Sequence, residues 1–283
     1  MTLEQPTDKL DALPSPRGGT FVWTSSDSNV VGVSGSGDQC EIQRLDQGTA
    51  TITVTYTVGS CTPCTGAATV TAPKRNFIIV IGEQGLKRHN LGKLLELAAN
   101  THEREVRSNA LLSLPVPRFL PGDKTTTAPI HLVADLVAQL SVNDIIYLAY
   151  FGHGWGDDAS TALNIGQDHV KDSNLTIAQD PLGIQTCTPP SVLPKPAFRP
   201  NAIARLYSCR AAFGTNPIAK QMADHLGIHV YGYPSGEGSM FTNDPTLGHG
   251  ARAATQKDQS ASVSAAKDVW MVPFTGVPAF SQF

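Results

Sequence analysis

The spacing of apolar side chains divides the 283-residue chain into two parts. In residues 20–72, apolar and polar positions alternate with a period of two, as in TFVWTSSDSNVVGV and ATITVTYTV, and turn-forming segments such as SGSGD and DQG lie between them. This period is typical of half-buried β-strands, and long runs of helix formers are absent. The pattern predicts an all-β sandwich domain over residues 1–73.

The pattern changes after Ala72-Pro73, and residues 74–283 alternate short apolar runs with amphipathic segments. Strands are predicted over 76–83, 144–152, 202–209 and 228–234, and helices over 91–105, 128–140 and 218–227. Residues 110–120 are predicted to be a strand or an extended piece, broken by Pro115 and Pro117. Asn216 is the predicted N-cap of the last helix, with Pro217 at its first position. This alternation predicts an α/β domain with a mostly parallel sheet and helices on both faces. Residues 156–200, rich in Pro and Asp, are predicted to form a long excursion from it.

Composition excludes several classes of partner. The chain is 41% hydrophobic and 16% charged, with a net charge of −3, so it contains enough apolar side chains for a packed core. No basic stripe is present, which argues against a nucleic-acid partner. No apolar run is long enough to span a bilayer, so membrane insertion is not expected, and the N-terminus has no apolar signal core.

The chain has five cysteines, Cys40, Cys61, Cys64, Cys187 and Cys209, and an odd count leaves at least one thiol free. Cys61 and Cys64 form a CTPC motif, but no second CxxC or nearby HxxxH completes a zinc site. Two alternatives remain for Cys40, Cys61 and Cys64: a disulfide between two of them, or three free thiols in loops.

Two predicted strands end on residues with catalytic capacity. One ends at Gly152-His153-Gly154 and the next at Ser208-Cys209-Arg210. Because functional residues collect at the carboxyl edge of a parallel sheet, neighbouring strands would bring this imidazole and this thiol together. A second His-Gly pair, His249-Gly250, follows no apolar strand and is predicted to form a turn.

A thiol beside an imidazole indicates nucleophilic catalysis. A free cysteine has a pKa of about 8.5, so Cys209 would need His153 to accept its proton at neutral pH. Glycines on both sides of the histidine let the backbone approach a substrate carbonyl closely. The amides of Gly154 and Cys209 could then donate to the developing oxyanion.

This order of elements resembles the caspase-like cysteine peptidases, which include caspases, gingipains, clostripain and separase. The residues that carry the resemblance are His153 and Gly154 in AYFGHGW, and Cys209 in RLYSCRA. Only Cys209 and Arg210 match the caspase signature Q-A-C-R-G, so the chain resembles the broader group and not a caspase proper. The resemblance implies Cys209 as nucleophile, His153 as general acid/base, and the Gly154 and Cys209 amides as oxyanion hole.

The first domain resembles the bacterial Ig-like domains of group 2. That family shows a Trp-x-Ser-Ser-Asp segment and a Gly-x-Ala-x-Ile-x-Val strand, which here are residues 23–27 and 48–54. The resemblance implies a spacer or adhesive module, in which Trp23 belongs to the core. The pairing of the two domains implies a bacterial protein that is secreted or delivered as an effector or toxin, in preference to a cytoplasmic one.

Acidic residues near the predicted site have several interpretations. Asp157 and Asp158 form a solvated turn, a cation site or part of the substrate pocket, and Glu237 and Asp244 are further pocket candidates. Some relatives place such an acid where it selects Arg or Lys before the scissile bond. No organic cofactor is expected, and calcium is the one ion left open.

The sequence therefore predicts a cysteine endopeptidase that acts on protein or peptide substrates. The alternative is a catalytically inactive caspase-like fold that serves in binding or adhesion. The excursion over 156–200 is either an activation segment, cut at Lys171, Lys195 or Arg199, or an uncut surface insertion. A nucleotide-binding or serine-hydrolase domain is disfavoured, because the chain has neither a phosphate-binding glycine loop nor a G-x-S-x-G elbow.

Overall fold

The computed structural model describes residues 1–14, 18–82, 91–110, 116–156, 161–166, 168–170, 186–208, 210–232, 239–240, 254–255 and 272–275. The chain divides into two compact units. The all-β unit contains residues 1–75 and 119–124, and the α/β unit contains residues 76–118 and 125–283. The sequence pattern places the change two residues earlier, between 73 and 74.

The all-β unit consists of two three-stranded antiparallel sheets. Its strands are β1 (Thr7–Asp11), β2 (Thr20–Ser25), β3 (Val31–Ser34), β4 (Gln39–Arg44), β5 (Gly48–Thr57) and β6 (Cys64–Ala72). The strand orders are β1-β4-β3 and β2-β5-β6. At the start of the chain, Thr2 pairs in parallel with Thr71 at the end of β6.

Alternation of side chains along these strands builds one core, as the period of two predicts. Ile42, Ile52 and Val70 are buried at its centre. Trp23 is partly buried and packs against this cluster, and its indole N–H donates to the Gly37 carbonyl at 2.9 Å. The prediction that Trp23 packs with the core is therefore confirmed.

A segment from later in the chain completes the all-β unit. Residues 119–124 belong to it, although they lie between two elements of the α/β unit in sequence. Leu120 is buried, and Gly122 adopts a φ of +80° against the backbone of Asp46 and Gln47, in the turn between β4 and β5. A Cβ atom at Gly122 would overlap that backbone, so only glycine fits this approach.

A buried ion pair holds the same segment. The Arg44 guanidinium donates to a carboxylate oxygen of Asp123 at 2.9 Å, and neither side chain is exposed. It also donates to the carbonyls of Pro121 and Pro73, at 2.8 and 2.9 Å. Arg75 lies 3.5 Å from the same Asp123 oxygen. Several hydrogen bonds therefore compensate the removal of these charges from water.

The α/β unit contains the remaining elements. They are β7 (Asn76–Gly82), α1 (Leu91–Ser108), β8 (Lys124–Ile130), α2 (Val133–Gln139), β9 (Ile145–Phe151), β10 (Gly154–Gly156), β11 (Thr161–Ile165), β12 (Asp168–Val170), β13 (Thr186–Thr188), 3₁₀ turns at Pro190–Val192 and Lys195–Ala197, β14 (Phe198–Tyr207), α3 (Ile218–Leu226), β15 (His229–Gly232), β16 (Ser239–Met240), β17 (Ala254–Thr255) and β18 (Val272–Thr275). None of the described helices is both long and apolar enough to cross a membrane.

The main sheet has the strand order β18-β15-β14-β9-β7-β8. Strands β7, β9, β14 and β15 pair in parallel, and β18 pairs antiparallel with β15. Every residue of β7 and β9 is buried, because helices cover both faces. Helix α1 packs on one face of β7 and β9, whereas α2 and α3 contribute to the core on the other.

Residues 110–120, predicted to be either a strand or an extended piece, are described only in part. Residues 111–115 lie outside the described part, and residues 116–120 form no strand. Pro117 in this stretch lacks the N–H that strand pairing needs. The strand at this point of the sequence is β8, which begins at Lys124 and occupies the edge of the sheet.

The predicted helix over 128–140 is too long. Its first residues belong to β8, and α2 covers only Val133–Gln139. The hydroxyls of Thr125 and Thr127 on β8 both donate to the Glu103 carboxylate of α1. This contact with a distant helix favours the extended conformation of a threonine-rich segment.

Helix α3 begins one residue later than predicted. Its N-cap is Pro217 and not Asn216. The side chain of this cap residue accepts no hydrogen bond from the backbone N–H groups of the first turn. Instead, the Ile218 N–H donates to the hydroxyl of Thr161 at 2.9 Å. Thr161 is fully buried and comes from β11, so the helix start is satisfied by a tertiary contact.

The excursion predicted over 156–200 contains ordered structure. Strands β10, β11, β12 and β13 form a second, four-stranded sheet in that order. Leu163, Ile165 and Val170 from this sheet are buried in the same core as α2 and α3. The described parts of the excursion are therefore integrated with the domain core.

Candidate active site at the carboxyl edge of the parallel sheet

The two strands predicted to carry catalytic residues are parallel neighbours. Phe151, the last residue of β9, is paired in register with Tyr207, the last residue of β14. Beyond the strand, the Gly152 N–H donates to the Tyr207 carbonyl at 3.2 Å, which extends the pairing by one residue. His153 follows directly. The predicted adjacency of the two strand ends is therefore confirmed.

All four parallel strands end at this edge. Ile81 near the end of β7 pairs with Phe151, and Gly232 at the end of β15 pairs with Leu206. The segments that follow these strands therefore leave the sheet at one level, as expected for the ligand-binding edge of an open parallel sheet.

His153 is half-buried, and burial lowers the pKa of its imidazole below the usual 6.5. The ring is consequently neutral at pH 7. A neutral imidazole has one nitrogen lone pair that can accept a proton, which a general base requires.

The backbone of His153 is tied to the second sheet. Its carbonyl accepts the Asn164 N–H at 2.9 Å, and Gly154 stands opposite Leu163 in the antiparallel β10–β11 pair. In this register Gly154 belongs to a non-hydrogen-bonded pair, so its own N–H points away from β11. Among the described strands β10 is an edge strand, and that N–H faces its open side.

Two described residues flank Cys209. Ser208 is fully buried, and its hydroxyl has no hydrogen-bond partner within the described part of the chain. Arg210 adopts a left-handed backbone conformation with a φ of 58°, and its carbonyl accepts the Phe213 N–H at 3.0 Å. A non-glycine residue in this conformation costs about 1–3 kcal/mol, and such strain concentrates at functional sites.

An aromatic cluster lies beneath the strand ends on the face covered by α1. The rings of Phe151 and Tyr207 stack with centroids 4.4 Å apart. The ring of His102, buried on α1, meets both at their edges, with centroid distances of 5.4 and 5.1 Å. Nε2 of His102 is hydrogen-bonded to the Tyr147 hydroxyl at 2.7 Å. This packing joins the ends of β9 and β14.

The structure describes some of the predicted site residues and not others. His153 and Gly154 lie where the sequence places them, after the end of β9. Cys209, Asp157, Asp158, Glu237 and Asp244 lie outside the described residues.

The same division applies to the proposed cleavage positions in the excursion. Lys171 lies outside the described residues, whereas Lys195 begins a 3₁₀ turn and Arg199 lies within β14. Arg199 lies in the irregular stretch of β14 between Phe198 and Ile203, which are successive residues in the pairing with β9.

No disulfide joins the four described cysteines to one another. Cys40 is buried, Cys61 and Cys64 are exposed, and Cys187 is half-buried. No group of three or more His, Cys, Asp or Glu side chains with metal-binding geometry occurs in the described part of the chain.

Sequence reasoning missed two polar groups at this edge, the hydroxyls of Tyr150 and Ser208. Both belong to runs that the pattern identifies only as buried strands. The signal in the sequence is a hydroxyl-bearing residue within an apolar run. Its hydroxyl is expected to be buried, and a buried polar group needs a hydrogen-bond partner. Which partner it finds depends on tertiary structure.

Comparisons of this chain with protein-family models, with curated proteins and with solved structures found no match.

Proposed function

We propose that this chain is a cysteine endopeptidase with a caspase-like catalytic domain. Cys209 is the nucleophile, His153 the general acid/base, and the amides of Gly154 and Cys209 the oxyanion donors. The observation that carries the proposal is the register of β9 and β14, in which Phe151 pairs with Tyr207. His153 and Cys209 each follow these paired residues by two positions.

Three further observations support the proposal. Burial lowers the pKa of His153, so the ring is available as a base at neutral pH. The Gly154 N–H points away from the β10–β11 ladder, as a donor to substrate must. Arg210 holds a strained backbone conformation directly after the proposed nucleophile.

The proposed reaction proceeds through an acyl-enzyme. His153 takes the thiol proton, and the Cys209 sulfur forms a bond to the scissile carbonyl carbon, whose oxygen becomes the oxyanion. As the intermediate collapses, the C–N bond breaks and the imidazolium gives its proton to the leaving amine. Water then adds to the thioester with His153 as base, and the C–S bond breaks to release the carboxylic acid and the thiol.

The all-β unit is assigned in this proposal as an Ig-like module. Its sheet orders β1-β4-β3 and β2-β5-β6 correspond to the B-E-D and C-F-G sheets of an Ig-type sandwich. The parallel pairing of Thr2 with Thr71 adds an N-terminal segment to the last strand of the second sheet. With a peptidase, such a module fits a bacterial protein that is secreted or delivered to its target.

Hydrolysis of a diverse peptide library, with mass spectrometry of the new termini, tests the proposed activity. The wild type is assayed with calcium, with chelator and after limited proteolysis. We expect cleavage that Cys209→Ala abolishes and His153→Ala reduces by at least a hundredfold. His249→Ala, a change of the other His-Gly pair, is the matched control and should cleave normally. No cleavage under any condition, with an intact fold, would favour the binding-protein alternative.

A further inference from the structure

We propose that Tyr150 is a positioning residue that orients both His153 and the oxyanion-donating amide of Gly154. This inference rests on the proposed function and adds a residue that acts through the backbone and touches no substrate atom. It follows from the contacts of one buried hydroxyl at the end of β9.

The Tyr150 hydroxyl is buried below the loop that carries His153. The residue is 1% exposed, and its ring lies on the sheet face opposite the His102 cluster. The hydroxyl has one hydrogen, which the Asn164 carbonyl accepts at the shorter distance and the His153 carbonyl shares as a second acceptor at 3.3 Å. One hydroxyl therefore bridges the catalytic loop and strand β11.

The His153 carbonyl thus receives two donors from one side, the Asn164 N–H at 2.9 Å and the Tyr150 hydroxyl. The peptide that joins His153 to Gly154 is planar and trans, so its C=O and N–H point in opposite directions. Fixing the carbonyl toward Tyr150 and Asn164 therefore fixes the Gly154 N–H toward the open side of β10. A preorganised donor of this kind needs no reorientation when negative charge develops on the substrate oxygen.

Two glycines leave space for this hydroxyl. A Cβ atom at Gly82, the last residue of β7, or at Gly152, before the histidine, would overlap the Tyr150 hydroxyl. Both positions therefore exclude larger residues as long as Tyr150 keeps its place. This explains the glycine before His153, which the sequence alone suggested was needed for access to substrate.

The same strand offers a matched control. Tyr147 is also buried, and its hydroxyl is also hydrogen-bonded, but to His102 on the opposite face of the sheet. Tyr147→Phe and Tyr150→Phe each remove one buried hydroxyl from β9, so their effects on folding should be similar. Only Tyr150→Phe removes a donor from the His153 carbonyl.

The test combines kinetics with a readout that does not depend on activity. Kinetics use the fluorogenic peptide that the wild type cleaves best among those with Arg, Leu or Asp before the scissile bond. Amide hydrogen exchange of Asn164 and the ¹⁵N–¹H shift of Gly154 are measured on the same proteins. Melting temperatures establish that both variants fold, and Gly82→Ala serves as a second variant, whose Cβ atom would overlap both the Tyr150 hydroxyl and the Asn164 carbonyl that accepts it.

For Tyr150→Phe we expect kcat to fall about tenfold with KM unchanged within twofold, because the lost interaction matters most in the transition state. Exchange of the Asn164 amide should accelerate about tenfold and the Gly154 signal should move. Gly82→Ala should reproduce these effects, whereas Tyr147→Phe should show neither.

Identical exchange and identical Gly154 signals in Tyr150→Phe and Tyr147→Phe would overturn the positioning role. If the wild type cleaves no peptide while the exchange and shift changes appear as expected, the proposed peptidase activity fails and the positioning of the His153 loop stands. The two claims are therefore distinguished.

Discussion

Replacement of Asp123 by asparagine should strongly destabilise the all-β unit. The side chain is completely buried between two arginines, 2.9 Å from the Arg44 guanidinium and 3.5 Å from Nε of Arg75. Its second oxygen accepts the Leu120 N–H at 2.6 Å. Asparagine keeps the shape and an acceptor oxygen but removes the negative charge, so the buried Arg44 guanidinium loses the carboxylate 2.9 Å away.

The magnitude follows from these contacts. Removal of one partner of a buried pair costs about 3–5 kcal/mol. Arg44 keeps its bonds to the carbonyls of Pro121 and Pro73 in Asp123→Asn. The single acceptor oxygen of asparagine can serve the Leu120 N–H or the Arg44 guanidinium but not both, so its amide NH2 faces the other donor. Asp123→Ala also removes that acceptor and should cost about 1–3 kcal/mol more. Replacement of both charges, Arg44→Met with Asp123→Leu, should cost less than Asp123→Ala alone.

Urea unfolding followed by tryptophan fluorescence measures these changes. Trp155→Phe and Trp270→Phe in every protein leave Trp23 as the reporter of the all-β unit. Asp11→Asn is the control, because Asp11 is an exposed aspartate of the same unit with a hydrogen bond from Gln39. A cost below about 1 kcal/mol for Asp123→Asn would refute the assignment of Arg44 and Asp123 as an interdependent buried pair.

Three further predictions concern single side chains. Gly122→Ala should destabilise the all-β unit by at least about 2 kcal/mol, because the positive φ and the overlap with the β4–β5 turn both oppose a Cβ atom; an unchanged urea midpoint would contradict this. The lowered pKa of His153 means that, as pH falls below 6.5, the unfolded state takes up a proton before the folded state does. The wild type should therefore lose more stability than His153→Gln between pH 7 and 5, and equal losses would argue against burial of the ring. Burial raises the pKa of Glu103, but hydrogen bonds from Thr127, Arg107 and Thr125 outweigh this and hold it below 4.5. That stabilisation is present above pH 4.5 and is lost as pH falls through the folded pKa, so acid titration of Glu103→Gln should show a smaller loss than the wild type.

The sequence pattern predicted the parts of the fold that local periodicity determines. Strands β2, β3 and β5 of the all-β unit, helix α1 and strands β7, β9, β14 and β15 lie at or near their predicted positions. In each of these elements the apolar residues recur with one period, because the same face of the element is buried from its start to its end.

Elements that depend on distant contacts were predicted poorly. Strand β8 is fixed by hydroxyls that meet Glu103 on α1, and the start of α3 is satisfied by Thr161 from β11. The second sheet, β10 to β13, is built from strands of three to five residues, which are too short for a period to be evident. No local window of the sequence contains these partners.

The candidate site divides in the same way. The alignment of the ends of β9 and β14 follows from the order of strands in a parallel sheet, and the register confirms it. The contribution of Tyr150 was not predictable, because its hydroxyl meets a carbonyl eleven positions beyond His153 in the chain, at Asn164. The space it occupies is visible in the sequence only as two glycines, Gly82 at the end of β7 and Gly152 directly after β9.

The rate at which iodoacetamide alkylates Cys209, followed from pH 5 to 9 by peptide mapping, tests the central claim most directly. The exposed thiols Cys61 and Cys64 serve as the reference in the same sample. An activated nucleophile should react at pH 7 at least tenfold faster than the exposed thiols Cys61 and Cys64. This advantage should disappear in His153→Ala and persist in His249→Ala. A Cys209 that reacts no faster than Cys61 and Cys64, and is indifferent to His153, would contradict the proposed dyad.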